Sequence, residues 1–415
     1  MIGASPGSTG SVSVSGAGDW TAQGALQIGA AGNGTLQLLQ GGTLESGAAT
    51  IGASPGSTGS VSVSGAASIW RLAGDLTVGS NGSGSLAVSG AGKVTDTNAV
   101  IGDKVGSSGS VTVAGLGSSW QNSGILTVGG NGAAGLAIDT GTVTAGGAAI
   151  GSNFAPVQVT VTNHGALSVL GDVSIGGAGS TTMTVQNGGT FDSGVNATIG
   201  GAGGNTVVTV TGTDSTWTLH GAGNLAIGDK GSLLVMDGGT VTSTSIIVGT
   251  NGLLNGQGGR IVGNVFNSGG TVTPGDATGV MTITGNYAQR SGVLLFEIDG
   301  LAPSQFDRLL ISGLADITGG SIDIVFGAGF VPAAGESFDL LSAALGLSLA
   351  NVDFAVIGLP ADLRFTETVG ADGLQLDFLA TAPVDEPETW ALLAIGAPLI
   401  GWLMRRRGLP HRASV

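Results

Sequence analysis

The 415-residue sequence contains no cysteine, and only 9% of its residues are charged and 4% aromatic. The absence of cysteine excludes disulfide bonds and thiolate metal sites, and it is compatible with an exported bacterial protein. The formal net charge is −15, and no cluster of Lys or Arg precedes the last eleven residues. We therefore expect no nucleic-acid partner, because binding to phosphates requires clustered cations.

Glycine is abundant instead, with 81 residues. A glycine content this high is common in disordered chains. Here the mean hydropathy is positive, +0.41, and the apolar residues alternate regularly, so that burial of apolar surface is expected. We predict an ordered chain whose glycines occupy turns.

An internal repeat organises the first 250 residues. Residues 2–17 and 51–66 share the sequence IGASPGSTGSVSVSGA. An apolar-Gly step marks the repeat every 49 or 50 residues, and a second such step divides each repeat into two sub-units. The first set of steps begins at Ile2, Ile51, Ile101, Ile150 and Ile199, and the second at Ile28, Val78, Val128, Ile175 and Ile227. A fixed period of this kind predicts a repeat architecture.

Short runs with alternating apolar residues recur at matching positions in the sub-units. Val61 and Val63 belong to a V-x-V run, and Leu76 and Val78 to an L-x-V-G run. Such runs, bounded by Gly, Asn-Gly and Ser, predict β-strands. A strand this short buries too little surface alone, so equivalent strands must stack. We predict an all-β fold, a right-handed parallel β-helix of ten coils from Ile2 to Gly249, about 48 Å long at ~4.8 Å per coil.

A stack of β-hairpins or a propeller is the competing layout, but the turns do not mark four-strand blades. We divide the chain into a repeat solenoid (1–250), closing β coils with a cap (251–381), and a C-terminal tail (382–415). Met1 occupies the position of Thr50, Val100 and Ala149 before the later Ile-Gly steps, so we expect the first repeat to be truncated. Strands lengthen and phenylalanines become frequent after residue 250, as suits a cap.

The tail has the features of a short membrane segment. Residues 390–404 carry no charge and would form a helix of about 22 Å, short for a ~30 Å hydrocarbon core. Arg405, Arg406 and Arg407 follow directly, and the positive-inside rule keeps them cytoplasmic. We predict one short transmembrane helix at 390–404 that spans the inner membrane transiently and leaves the solenoid outside.

Residues 385–392, DEPETWAL, together with the apolar run and the arginines, are similar to the PEP-CTERM sorting signal of Gram-negative bacteria. Glu386 and Pro387 match the second and third positions of its motif, Thr389 and Trp390 fit the usual continuation, and Asp385 replaces the first proline. The resemblance implies an exosortase-type processing enzyme as a partner. It also implies a membrane-anchored precursor that later reaches the cell surface or extracellular matrix.

Two further resemblances concern the body of the chain. The GSVSVSGAGxxW and GxLTVGxxGxGxL blocks resemble the repeats associated with type V secretion and PEP-CTERM proteins, and residues 270–276 and 281–287 resemble the late passenger region of autotransporters. They imply a structural or adhesive surface or matrix protein, with exopolysaccharide or neighbouring cells as partners. No self-translocating unit is expected.

The sequence offers little for catalysis, and we expect neither an enzyme nor a cofactor. No motif for a catalytic, phosphate or metal site occurs. Single carboxylates are scattered along the coils and are expected to be solvated turn residues: Asp19, Asp75, Asp96, Asp139, Asp172, Asp192 and Asp214. A polysaccharide-active β-helix enzyme, the first alternative, would need carboxylates grouped with Arg or Lys beside a groove.

An ice-binding or glycan-binding solenoid is the second alternative. Trp20, Trp70, Trp120 and Trp217 closely follow the V-x-V run and would form a sugar platform if exposed. We expect them to be structural because buried aromatics are commoner. T-x-T pairs would form an ice-binding face if they shared one offset. They begin at Thr142, Thr160, Thr182, Thr209 and Thr240 and do not do so.

Overall fold

The computed structural model describes residues 1–201, 203–327, 329–360 and 363–379. These residues form β-strands and no α-helix. Within those ranges, no helix is both long enough and apolar enough to span a bilayer. The helix predicted at 390–404 lies outside the described residues and stays a prediction.

Short strands follow one another through the repeats in groups of three. They are β1 (Thr9–Ser15), β2 (Asp19–Thr21), β3 (Leu26–Ile28), β4 (Asn33–Leu39), β5 (Thr43–Ser46), β6 (Ala49–Ile51), β7 (Thr58–Ser64), β8 (Ile69–Leu72), β9 (Leu76–Val78), β10 (Ser83–Ser89), β11 (Lys93–Asp96), β12 (Ala99–Ile101), β13 (Ser108–Ala114), β14 (Ser119–Asn122), β15 (Ile125–Val128), β16 (Ala133–Asp139), β17 (Thr142–Ala145), β18 (Gly147–Ile150), β19 (Val157–Thr162), β20 (Ala166–Val169), β21 (Val173–Ile175), β22 (Thr181–Gln186), β23 (Thr190–Ser193), β24 (Ala197–Ile199), β25 (Thr206–Thr211), β26 (Thr216–Leu219), β27 (Asn224–Ile227), β28 (Gly231–Met236) and β29 (Thr240–Val248).

The remaining strands include several longer ones. They are β30 (Leu253–Asn255), β31 (Arg260–Thr273), β32 (Val280–Thr284), β33 (Tyr287–Ile298), β34 (Arg308–Ile311), β35 (Ala315–Ile317), β36 (Ser321–Phe326), β37 (Ser337–Ala343), β38 (Leu347–Leu349), β39 (Asp353–Ile357), β40 (Arg364–Val369) and β41 (Gly373–Leu379).

From β1 to β26, each strand pairs in parallel with the strand three positions further along the chain, so β1 pairs with β4, β2 with β5 and β3 with β6. One coil therefore contains three strands, and the coils stack into three continuous faces. We call the face that begins with β1 face 1, that with β2 face 2 and that with β3 face 3. The predicted parallel β-solenoid is confirmed, with about 13 turns, while its handedness stays a prediction.

The apolar residues of face 1 lie directly above one another. Val61 pairs with Leu36 on one side and Leu86 on the other. Val61, Val111 and Val159 are buried, as the alternation predicts. The register of the ten repeat strands produces one inward column: Val12, Leu36, Val61, Leu86, Val111, Leu136, Val159, Met183, Val208 and Leu233.

The apolar-Gly step that marks the repeat has a steric cause. Gly52 has a φ of 72°, and a Cβ built on it would lie 2.3 Å from the carbonyl oxygen of Ser83 in the next coil. Gly79 meets the carbonyl of Ser108 in the same way, at 2.2 Å. Only glycine combines a positive φ with so close an approach, which explains why this position repeats.

Parallel pairing continues across residue 250 without a break, since β28 pairs with β30 and β29 with β31. β31 and β33 are long because each runs through a corner of the coil and contributes to more than one face. The longer apolar runs in the sequence after residue 250 therefore correspond to longer strands within one continuous solenoid.

The C-terminal end of the solenoid is closed by antiparallel strands. β41 pairs antiparallel with β37 on one side and with β40 on the other. Phenylalanines from several strands pack edge to face beneath them, with Phe338 contacting Phe306, Phe330 and Phe378 at centroid distances of 5.3, 6.2 and 6.1 Å. The phenylalanine-rich segment thus forms a cap over the last coil.

Candidate functional sites

The residues of the predicted sorting signal lie outside the described part of the chain. They are Asp385, Glu386, Pro387, Thr389 and Trp390 of the motif, and Arg405, Arg406 and Arg407 of the basic cluster. Their roles stay predictions, and the sites below belong to the solenoid.

The tryptophans of the repeats point into the solenoid from face 2. Trp70, Trp120 and Trp217 are fully buried, while Trp20 in the first coil is half-buried. Each tryptophan is paired with a non-tryptophan in the neighbouring coil, as Trp70 is with Leu44 and Val94. The structural interpretation is confirmed for the three buried side chains, which cannot form a sugar platform.

Each buried tryptophan donates its indole N–H to a residue one coil earlier. Trp70 donates to the Ser46 hydroxyl and Trp217 to the Ser193 hydroxyl, both at 3.0 Å. Leu72 and Leu219 lie directly above these serines on face 2. The pattern of serine, tryptophan and leucine gives the indole N–H a neutral acceptor.

Trp120 departs from this pattern because its acceptor is the carboxyl of Asp96, at 2.5 Å. Asn122, directly above Asp96, donates its amide to the same carboxyl at 2.6 Å. Burial raises the pKa of Asp96 to about 7, although both hydrogen bonds act in the opposite direction. The amide oxygen of Asn122 has no hydrogen-bond partner in the described structure.

The expectation that Asp96 is a solvated turn residue is therefore wrong. Asp96 is the fourth residue of β11, and its side chain points inward. Leu72 occupies the same position of β8 in the previous coil. The alternation Val94-x-Asp96 is the signal in the sequence, because an inward residue two positions before predicts a second inward residue here. Asp96 is 5% exposed, and this burial gives it no access to a substrate.

Asp307 is a second buried carboxylate, in the closing coils. It accepts backbone N–H groups from Gly279 at 2.7 Å and from Glu297 at 2.9 Å. Burial raises its pKa to about 7 in spite of these bonds. Its side chain joins two segments of backbone inside the solenoid, and its full burial indicates a structural role.

A buried polar network fixes the corner between face 3 and face 1 in the closing coils. The Gln289 amide oxygen accepts from Tyr287 at 2.7 Å and from Asn267 at 3.2 Å. Asn267 also accepts the backbone N–H of Gly270 at 3.0 Å. Burial raises the pKa of the Tyr287 hydroxyl, so it remains a neutral donor. These groups satisfy backbone and side chains where the long strands bend.

A groove of about 400 Å³ lies where β34 and β37 meet the hairpin of β40 and β41. We call it the cap groove. Arg308, Asp339 and Asp372 line it together with Thr368 and Gln375. Both aspartates are exposed, and Arg308 forms an ion pair with neither of them. An arginine and two carboxylates thus line one groove, and the sequence analysis did not identify this grouping.

A second groove, of about 450 Å³, lies on face 3, where Gly147 has no side chain to fill the space. Gly147 lies beside Ile125 of the previous coil, and Asp172 lines the far side. The carboxylate of Asp172 accepts the backbone N–H of Asn196 at 3.0 Å. This groove has a single carboxylate, so it offers no acid and base pair for hydrolysis.

The threonines form a ladder only over a short stretch. Thr160, Thr184 and Thr209 are in register on face 1, and the ladder ends at Ala137 on one side and Leu234 on the other. The T-x-T pairs that begin at Thr142 and Thr240 lie on face 2, in β17 and β29. On face 2, Thr190, Thr216 and Thr240 are also in register, and neither threonine ladder extends beyond three coils.

The remaining charged residues do not assemble into a metal site. Among the described residues, no group of three or more His, Cys, Asp and Glu side chains is close enough to hold an ion. His220 pairs with Asp192 at 3.1 Å on the surface, and Lys104 pairs with its neighbour Asp103 at 3.3 Å. These pairs are solvent-exposed and stabilise the fold little.

No protein-family model matches the chain, and no curated protein matches its sequence. Among solved structures, the chain is similar to a crystal structure of the TibC-catalyzed hyper-glycosylated TibA55-350 fragment. The sequence identity is 19% and the TM-score 0.45, with 86% of this chain and 98% of that chain covered. The parallel β-solenoid described above is defined by the strand pairings of this chain.

Proposed function

We propose that this chain is an exported structural or adhesive rod of the cell surface or extracellular matrix of a Gram-negative bacterium. The observation that carries the proposal is the single contiguous core, in which inward side chains from Ile2 to Phe378 pack together along the whole described solenoid. Such an interior leaves no internal chamber for a substrate. The repeats therefore provide a long rod with three outer faces.

The outer surface supports the same role. Outward positions of the repeat strands carry mostly Ser and Thr, and the net charge is −15, which keeps a rod soluble and separate from other anions. The two carboxyls whose pKa is raised to about 7, Asp96 and Asp307, are buried inside the solenoid. Neither carboxyl lines one of the two grooves described above.

The proposed route to the surface depends on the C-terminal residues. A precursor would be held in the inner membrane through residues 390–404, with Arg405 to Arg407 on the cytoplasmic side. An exosortase-like enzyme would then process the motif around Glu386 and Pro387. The released rod would contact exopolysaccharide or neighbouring cells.

Surface localisation of the protein in its own cells tests this proposal. Deletion of residues 382–415 and the double change Glu386→Ala/Pro387→Ala should each reduce the protease-accessible protein at the surface by at least tenfold. Replacement of the three arginines by lysine should leave localisation unchanged, because the positive charge is kept. Equal surface exposure of the deletion variant would contradict the sorting route, and absence of the wild-type chain from surface and matrix would contradict the function.

Polysaccharide recognition at the cap groove is a second candidate, favoured by Arg308 beside Asp339 and Asp372. Light scattering of exopolysaccharide mixed with the protein would measure both binding and chain shortening. Arg308→Ala should abolish the effect, whereas Arg71→Ala, an exposed arginine on face 2, should not change it. No binding by the wild-type chain would exclude this candidate.

A further inference from the structure

The groove on face 3 interrupts a column of outward side chains in the middle of the rod. Ile125 pairs with Gly147, and Asp172 and Asn196 occupy the same position in the next two coils, as the pairings of β18 with β21 and of β21 with β24 show. Across the ten coils of the repeats, this position carries a side chain in every coil except the one with Gly147. The resulting space of about 450 Å³ is called the face 3 groove below.

The backbone does not require glycine at residue 147. Its φ lies outside the left-handed region, and an added Cβ would lie no closer than 3.7 Å to its nearest neighbour, the carbonyl oxygen of Asp172. The neighbouring coils make the same bend with Ile125 and Asp172. A glycine in a strand weakens it and often marks a bulge, a tight bend or the close approach of a ligand or another backbone. The regular pairing of β18 shows no bulge, so the approach of a ligand is the explanation that fits.

The two sides of the face 3 groove differ in chemistry. Ile125 is 55% exposed and forms an apolar side together with Ala149. The other side carries Asp172, Ser174 and Thr198, all of which are exposed. A cleft with an apolar lining and a few polar groups is the usual form of a small-ligand site, and such sites measure about 300–1,000 Å³.

The carboxylate of Asp172 is held in place but is only partly used. Its Oδ1 accepts the backbone N–H of Asn196 at 3.0 Å and the side-chain amide of Asn196 at 3.4 Å. Within the described structure, Oδ2 makes no hydrogen bond. Lys, Arg and His are absent from the residues that line the groove. The groove therefore suits a ligand that donates hydrogen bonds and carries no negative charge.

We propose that the face 3 groove binds a segment of an uncharged glycan. A pyranose ring has C–H groups on its faces and hydroxyl groups around its edge. It can place one face against Ile125 and Ala149 and donate a hydroxyl to Oδ2 of Asp172, and a hydrogen bond to a carboxylate is roughly twice as strong as one between neutral groups. Acidic glycans are repelled by Asp172 and by the net charge of −15.

This inference rests on the proposed function, in which the rod contacts exopolysaccharide, and it names a site and a ligand class for that contact. The single carboxylate of the groove makes the site one of binding without hydrolysis. The cap groove differs, because Arg308 lines it and can pair with an anionic sugar.

Saturation-transfer NMR of the full chain tests the ligand class. The probes are neutral hexasaccharides of glucose, galactose and mannose, and oligosaccharides from the exopolysaccharide of the protein's own cells, separated by ion exchange into neutral and basic pools. A neutral probe should bind with an affinity that changes less than about twofold between about 50 and 500 mM salt, since no ion pair forms. Binding of the basic pool alone, or of no neutral probe, would overturn the proposal.

Filling the groove tests the site. Gly147→Leu should weaken binding of the neutral probe at least about tenfold, because its side chain occupies the space of the ligand. Gly135→Leu is the matched control, since Gly135 lies in the same coil but on face 1, where the only atom near an added Cβ is the Ser110 hydroxyl at 4.0 Å. The control should bind as the wild type does, and both variants should keep the wild-type melting temperature within a few degrees. Equal affinities of the two leucine variants would contradict the assignment.

Removing the carboxylate tests its role. Asp172→Asn should also weaken binding about tenfold, as expected for the loss of a hydrogen bond to a charged group. Asp75→Asn is the control, because Asp75 accepts the backbone N–H of Asn98 at 3.1 Å in the same arrangement but lines no groove with a glycine. An unchanged affinity of Asp172→Asn would overturn the proposed contact. A chain that reaches the cell surface but binds no neutral glycan would refute this inference alone, whereas a chain that binds the glycan but stays inside the cell would refute only the proposed function.

Discussion

Trp120 donates its indole N–H to the buried carboxyl of Asp96, one coil earlier, at 2.5 Å. The equivalent tryptophans at 70 and 217 donate to serines. The rod therefore contains two arrangements for the same packing problem, and only the one at Asp96 places an ionisable group in the interior.

Replacing the Asp96 arrangement by the common one should stabilise the protein. The double variant Asp96→Ser/Asn122→Leu copies Ser46 and Leu72, which surround Trp70 in the same register. It keeps an acceptor for the indole and removes a buried carboxyl and an amide oxygen without a partner. Replacing buried ionic and polar groups by packed apolar ones commonly gains about 1–4 kcal/mol, and denaturant unfolding at pH 8 measures it. The converse variant, Ser46→Asp/Leu72→Asn, should lose stability, and a less stable Asp96→Ser/Asn122→Leu would contradict the argument.

Stability should fall as pH rises towards 7. Burial raises the pKa of Asp96 and of Asp307 to about 7 in the folded chain, against about 3.9 for an unfolded aspartate. Between these values the folded state binds more protons, so the free energy of unfolding decreases with increasing pH through that window. The melting temperature at pH 5 should exceed that at pH 8. Asp96→Ser/Asn122→Leu should reduce the difference, and a higher melting temperature at pH 8 would disprove the assignment.

Two glycines with similar φ should respond differently to alanine. Gly52 and Gly56 have φ values of 72° and 76°, but only Gly52 approaches the next coil, where a Cβ would lie 2.3 Å from the Ser83 carbonyl. Gly56→Ala adds backbone strain in open space and should cost about 1 kcal/mol. Gly52→Ala must also displace backbone and should cost about 3 kcal/mol or more. Similar melting temperatures for the two variants would contradict the steric explanation.

Trp70→Ala should destabilise the rod more than Trp20→Ala. Trp70 is fully buried between Leu44 and Val94, and removing a core tryptophan costs about 3–5 kcal/mol. Trp20 is half-buried in the first coil, so less than half of that loss is expected. Chemical unfolding followed by circular dichroism measures both values, and equal losses would show that the first coil is as well covered as the third.

The alternation of apolar residues predicted the position of most repeat strands because side chains of a strand point in alternate directions. Leu76 and Val78 lie inward in β9, as their spacing indicates. The same rule places the side chain of Asp96 inward. The sequence analysis expected it to be solvated because a carboxylate between turns is usually exposed. The cap groove was not foreseen, since Arg308, Asp339 and Asp372 come together only when β34 pairs in parallel with β37 and β37 pairs antiparallel with β41.

The sequence by itself determined the coil, because an exact spacing of valines and glycines can be satisfied only when equivalent residues stack along one axis. The C-terminal sorting signal stays a prediction, which depends on the order of residues and not on the fold. Only the tertiary structure decided which carboxylates are buried and which end of the rod is closed. Those properties depend on what the neighbouring coil or the closing strands place against a residue.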